Sequence, residues 1–180
     1  IDNLIMQEPY KHKLHDATIN LLYQSLEETS PDELVKENVA FSNNRLLVQN
    51  IEITNFKKIY VIGFGKASLS MYEGLNQVIP SNAIEQTMLV THIKDHDYKF
   101  AKTSIIQSSH PHITQKSENA GNNLINFVRK LNKNDLLIAL VSGGGSAMVS
   151  APIDEITLDE KVDFISKILV AGIPEREANE

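Results

Sequence analysis

The sequence predicts an α/β fold, a mainly parallel β-sheet with helices on both faces and a helical segment ahead of it. Three observations predict this. The runs Lys58-Ile59-Tyr60-Val61-Ile62 and Asp135-Leu136-Leu137-Ile138-Ala139-Leu140-Val141 are apolar without alternation, as strands covered on both faces are. Segments of helical periodicity separate the strand-like runs. Both of the apolar runs end in glycine-rich turns, one at Gly63–Gly65 and one at Gly143–Gly145.

Taken in order, Tyr10 to Glu28 reads as a helix, with Leu14, Ala17, Thr18, Leu21, Leu22, Ser25 and Leu26 at spacings of three and four. A second, short helix starts at Ser30-Pro31-Asp32-Glu33, where Ser30 can cap, Pro31 suits the first helical position and Glu33 completes a capping box. Residues 1–44 are therefore expected to be a helical segment packed on an α/β domain of residues 45–180, which opens with a short strand at Arg45–Gln49. A strand at 58–62 leads into a helix over Lys66–Val78. Strands follow at Thr87–Thr91 and Thr103–Gln107, then a helix over Gln115–Leu131 and the strand at 135–141. Thr157-Leu158-Asp159-Glu160 is a further capping box, opening a helix that runs to about Val170. The order describes a Rossmann-like sheet.

Composition narrows the function. The chain has 180 residues, 42% of them hydrophobic, enough for one sizeable core. The net charge of −6 and the absence of a basic stripe argue against a nucleic-acid partner. With no cysteine there are no disulfides or thiolate metal sites. No apolar run reaches the roughly 18 residues of a membrane span and no signal-peptide pattern opens the chain, so a cytoplasmic protein without a membrane partner is expected.

The turn Gly63-Phe64-Gly65-Lys66-Ala67-Ser68 stands between a strand and a helix, where open α/β sheets bind ligands. Glycines let the backbone approach an anion, a helix start offers N–H groups, and Lys66 adds a mobile charge. Neither familiar motif is complete. A Walker A loop needs glycine at Tyr60, and the dinucleotide fingerprint needs glycine or alanine at Ser68 and an acid where Thr91 and His92 stand. A tight turn with a solvated lysine is the competing reading. Ser142-Gly143-Gly144-Gly145-Ser146-Ala147 is the sharper feature. Consecutive glycines cost backbone entropy and are easiest to explain where several N–H groups converge on one anion. The hydroxyls of Ser142 and Ser146 can donate to phosphate oxygens or reach a bound Mg²⁺.

His110-Pro111-His112 reads as a rigid loop at the sheet's edge, with His110 hydrogen-bonding substrate or backbone, and not as a metal-ligand pair. His92 and His96 read as part of a solvated loop, and no metal ligand is assigned. Glu177 and Asn179 could hold a substrate hydroxyl or a metal; a solvated charged end is the blander reading.

Gly65-Lys66-Ala67 before a helix, His110-Pro111 after a strand, Asp135-Leu136 leading into Ser142–Ala147, and then Pro152, resemble the glycerate 2-kinases whose C-terminal region is called the MOFRL domain. The ending Ile168-Leu169-Val170-Ala171-Gly172, with Glu177 and Asn179, is similar to that family's Leu-Leu-x-Ser-Gly-Ala-x-Ile-x-Glu-x-Asn segment, with Ala171, Ile173 and Glu175 departing from it. Ser109 stands where the family often has glycine. The resemblance covers about residues 58–180 in four motifs of matching order.

The resemblance implies transfer of the γ-phosphoryl group of ATP, with Mg²⁺, to the 2-hydroxyl of D-glycerate, giving 2-phosphoglycerate in a cleft between two domains. It implies a catalytic role for Lys66. It also implies phosphate or substrate contacts from Ser142, Gly143, Gly144, Gly145, Ser146, Glu177 and Asn179; the reading of the first turn and of the histidine loop adds Gly63, Gly65 and His110. The family continues beyond the position of Glu180 into a second domain, so the chain is expected to be the N-terminal part of the kinase, with little or no activity alone; a homo-oligomer is left open. Two alternatives stand beside this: an NAD(P)-dependent hydroxypyruvate reductase, and a non-catalytic phosphosugar-binding domain.

Overall fold

The computed structural model describes residues 8–94, 97–153, 155–174 and 177. Helices α1 (Glu8–Glu28) and α2 (Pro31–Asn38) come first, then strands β1 (Val39–Ser42), β2 (Arg45–Val48) and β3 (Ile51–Ile53). The main layer follows as β4 (Ile59–Phe64), α3 (Ser68–Val78), β5 (Ile84–Thr91), β6 (Thr103–Gln107), α4 (Gln115–Val128), β7 (Leu136–Val141), the single turn α5 (Gly145–Met148) and α6 (Leu158–Val170).

Strands β4 to β7 form one parallel sheet in the order β6-β5-β4-β7. Parallel neighbours require crossovers, and α3 and α4 supply two of them. The chain lays β4, β5 and β6 outward on one side, then returns across the sheet through α4 to place β7 on the other side of β4. That reversal puts a topological switch point between the carboxyl ends of β4 and β7.

The two faces bury separate cores. On one, Ile59, Val61, Leu69, Tyr72, Leu75, Ile79, Ile84 and Leu89 pack beneath α3. On the other, Ile62, Val90, Ala120, Leu124, Phe127 and Met148 pack beneath α4. Tyr72 carries a hydroxyl into the first core, where Thr87 Oγ1 donates to it at 3.0 Å. Satisfying such a buried group avoids a cost of about 1–3 kcal/mol.

The N-terminal third departs from the sequence reading. Residues 39–42 are a strand, not helix, and pair antiparallel with β2, which pairs with β3. The expected border at residues 44/45 falls inside this hairpin. Asn43 (φ 51°) and Asn44 (φ 57°) form its turn, a conformation asparagine tolerates better than most residues. Ser30 makes no side-chain cap on α2. Its hydroxyl bonds the Asp32 carboxylate instead, and Glu33 pairs with Lys36. Helix α2 crosses α3 closely at Gly74, where a Cβ would lie 2.3 Å from the Asp32 carbonyl oxygen. This docking carries α1 away from the sheet, so the apolar stripe of α1 stands in solvent, with Leu21 63% exposed. The capping box of α6 forms as expected: Glu160 N–H donates to Thr157 Oγ1, and Thr157 N–H donates to Glu160 Oε2 at 2.9 Å. No helix among the described residues is long and apolar enough to cross a membrane.

Candidate functional site

Both glycine turns lie at the switch point, one after β4 and one after β7, and they are tied to each other. Lys66 N–H donates to the Gly143 carbonyl at 2.9 Å, Ser142 N–H to the Phe64 carbonyl at 3.1 Å, and Ala67 N–H to Ser142 Oγ at 3.0 Å. Gly65 permits this approach. Its φ is 110°, and a Cβ there would sit 2.4 Å from both the carbonyl oxygen and the hydroxyl of Ser142.

These bonds divide the labour between the turns differently from the sequence reading. The N–H groups expected to face an anion in the first turn are already committed, Lys66 and Ala67 to the second turn and Ser68 to the Gly65 carbonyl. The Ser68 hydroxyl is buried and donates to the Val90 carbonyl. Gly63 is likewise a packing position, because a Cβ there would meet Leu89 Cδ2 at 2.7 Å. From the first turn, the Lys66 side chain remains to reach a ligand. It is exposed and pairs with no carboxylate among the described residues.

The second turn is open where the first is closed. A Cβ on Gly143 would meet nothing within 4 Å. Gly144 holds φ 84° and precedes α5, whose first N–H groups have no intrahelical acceptor. Gly145 is buried against the Phe64 ring. Ser146 is exposed, and Ser142, as acceptor from Ala67, keeps its own hydroxyl proton to donate.

His110 also belongs to this group, which corrects its placement at the sheet's edge. The loop after β6 reaches back over the sheet because Ser108 N–H donates to the Thr91 carbonyl at 2.7 Å and Ser108 Oγ to the Met148 carbonyl at 2.6 Å. The His110 ring then lies over Gly144, so that a Cβ there would be 2.9 Å from Nε2, while the Lys66 Cε would be 3.4 Å away. Burial first, then the charge of Lys66 and the neighbouring His92, hold the His110 imidazole below its ordinary pKa of 6.5. His92, read from sequence as a solvated residue, is half-buried with its ring centroid 5.5 Å from that of His110. Its position directly past the carboxyl end of β5 was the signal available for it.

Lys66, Ser142, Gly143, Gly144, Gly145, Ser146 and His110 are thus brought together. Glu177 is exposed, and Asn179 lies outside the described residues. The donor set fits a phosphate: converging N–H groups, two hydroxyls and one ammonium. It does not fit a divalent cation, since no carboxylate stands in the group, and among the described residues no three acidic or histidine side chains cluster as metal ligands.

Residues 17–180 match the family described as "Domain of unknown function (DUF4147)". The chain is 30% identical over 153 residues to a glycerate 2-kinase of Picrophilus torridus, a match covering 84% of this chain and 34% of that protein. It is 34% identical over 119 residues to a protein of Agrobacterium vitis provisionally named hydroxypyruvate reductase, covering 66% of this chain and 30% of that one. A solved glycerate kinase of Thermotoga maritima shares the fold, with a TM-score of 0.74 at 22% identity, covering 93% of this chain and 37% of the other. The chain therefore spans about a third of the length of the relatives it matches.

Proposed function

The chain belongs to the DUF4147 family, and from that premise we propose that it supplies the phosphate-holding half of a glycerate 2-kinase site. The reading is ATP-dependent phosphorylation of D-glycerate to 2-phosphoglycerate. The observation that carries it is the open Gly143–Ser146 loop locked beside the Lys66 side chain at the switch point of the sheet. The relatives named glycerate kinase support the choice of reaction; the open loop beside Lys66 supports the phosphate-holding role.

Phosphoryl transfer asks a protein mainly to position its reactants and to neutralise charge on the equatorial oxygens. Bound ATP would supply the transferable group. The N–H groups of Gly144 to Ala147 orient an anion without reorganising, because the backbone holding them is fixed by the bonds to the first turn. Lys66 brings a full charge on a flexible stem that can follow the group being moved. Ser142 and Ser146 donate hydroxyl protons to the same oxygens. Mg²⁺, which kinases of this chemistry use, finds no carboxylate here, and no step is assigned to it. The remaining two-thirds of the relatives' length is where the acceptor's further contacts would come from, along with Glu177 and Asn179 of this chain.

The reductase alternative fares worse on physical grounds. A dinucleotide pyrophosphate sits on the first strand–helix turn, and the N–H groups it would use are those of Lys66 and Ala67, bonded here to Gly143 and Ser142. A coupled assay with ATP and D-glycerate tests the proposal, run on this chain and on a chain of the relatives' full length. Turnover by the longer chain, and little or none by this one, is expected. Oxidation of a reduced nicotinamide with hydroxypyruvate, and no ATP-dependent product, would replace the kinase by the reductase.

A further inference from the structure

We propose that His92 and His110 form a proton-accepting wall of the anion site, so that an anion seated on the Gly143–Ser146 loop is bound together with a proton on this pair. The inference rests on the reading of that loop as an anion cradle and deepens it.

The geometry is specific. The His110 ring covers Gly144, the left-handed residue in the middle of the cradle, with Nε2 2.9 Å from where a Cβ would stand. Any anion on the loop therefore has this imidazole as a direct neighbour. Beside it lies His92, at 5.5 Å between ring centroids and tilted by 53°. His92 Nδ1 is buried without a hydrogen-bond partner among the described residues. A buried polar atom left unpaired costs free energy, and at a ligand site the ligand is its natural partner.

The electrostatics give the direction. His110 is faced by Lys66 from the β4–α3 turn and by His92 from the loop after β5; the β7–α5 turn carries serines and glycines and no titratable side chain. No carboxylate is among the groups acting on it. In the free protein, desolvation and like charge both disfavour the imidazolium. A doubly charged anion on the loop reverses the second effect and offers an acceptor for the added N–H. The proton and the anion then favour each other's binding by the same factor.

A sulfate titration tests this, because sulfate keeps both charges across the range in which histidine titrates, so any pH dependence belongs to the protein. Calorimetry on the chain from about pH 8.5 down to about pH 5.5 should show sulfate binding tighten by about tenfold for each unit by which bound sulfate raises the His110 pKa. His110→Gln should flatten the profile and His92→Gln should reduce its slope. Proton NMR of the wild-type protein reads the same event without a variant: the His110 ring should titrate at higher pH with sulfate than without. Shifts of the Gly143–Ser146 amides on a flat pH profile, with the His110 titration unmoved, would overturn the proton coupling and leave the cradle standing. Absence of any sulfate response at Gly143–Ser146 would overturn the cradle and this inference together.

Discussion

Replacing Gly65 by alanine strikes at the tie between the two turns. A Cβ at this position would lie 2.4 Å from the Ser142 carbonyl oxygen, which is backbone and cannot rotate away, and the residue holds φ 110°. The backbone conformation alone costs a side-chain-bearing residue about 1–3 kcal/mol. Relief of the overlap requires the turns to part, which breaks the Lys66–Gly143 and Ala67–Ser142 hydrogen bonds. Each contributes about 1 kcal/mol net. The expected loss is about 3–5 kcal/mol, a large share of the roughly 5–15 kcal/mol that holds a typical domain together. Gly143→Ala is the matched control, since its Cβ enters open space. It should stay within about 0.5 kcal/mol of the parent. Urea denaturation followed by far-ultraviolet circular dichroism measures both. Equal stability of Gly65→Ala and the parent, or equal losses in the two variants, would refute the claim that the first turn is a scaffold for the second.

Three further outcomes are expected. Lys66→Ala, at an exposed position, should leave stability within about 0.5 kcal/mol while lowering the proposed kinase turnover of a chain of the relatives' full length by about 10²–10³-fold, as loss of one charge partner does; unchanged turnover in the coupled assay would remove Lys66 from the chemistry. His110 should make the fold sensitive to mild acid. Its native pKa lies below 6.5, so the unfolded chain takes up the proton first, and stability present above about pH 6.5 is lost as the pH falls toward the native value. The carboxylates held low, Asp32, Glu85 and Glu160, titrate beneath this window. Urea midpoints at about pH 7.5 and 5.5 should therefore differ less in His110→Gln than in the parent. Thr114→Ala should cost about 1 kcal/mol, because Thr114 caps α4 in a reciprocal box with Ser117; a change under about 0.3 kcal/mol in the same melt would contradict that role.

The sheet was legible in the sequence because β4 and β7 carry unbroken apolar runs, but the inference that both are covered on two faces holds for β4 alone; β7 is an edge strand, with Val141 exposed. The place of the site was legible for a related reason: glycines at two strand ends mark where the backbone must turn tightly or come close to a guest. What the glycines do was not. Gly63 and Gly65 look like anion-binding glycines, yet they exist to let Leu89 and Ser142 approach. That distinction depends on contacts between segments about 75 residues apart in sequence, which no local pattern records. The strand read at Arg45–Gln49 is β2, but β1, β3 and the hairpins they form with it were missed because three- and four-residue strands carry little periodicity, although Asn43-Asn44 was a turn signal in plain view. Ser30 shows a further limit. Its capping pattern is correct, but its hydroxyl acts on the Asp32 carboxylate, and the box does not form. His92 was passed over because a histidine after a strand looks like any loop residue until the second ring is seen beside it.

One division of labour is proposed for the site: the second turn and the Lys66 side chain hold the anion, and the first turn holds the second in place. Backbone amide chemical shifts of the isotopically labelled chain, followed during titration with ATP, test it directly. The largest changes are predicted at Gly143, Gly144, Gly145 and Ser146, with Ala67 and Ser68 nearly still, and the whole response weakened by Lys66→Ala. Changes centred on Ala67 and Ser68 with Gly143–Ser146 unmoved would contradict it.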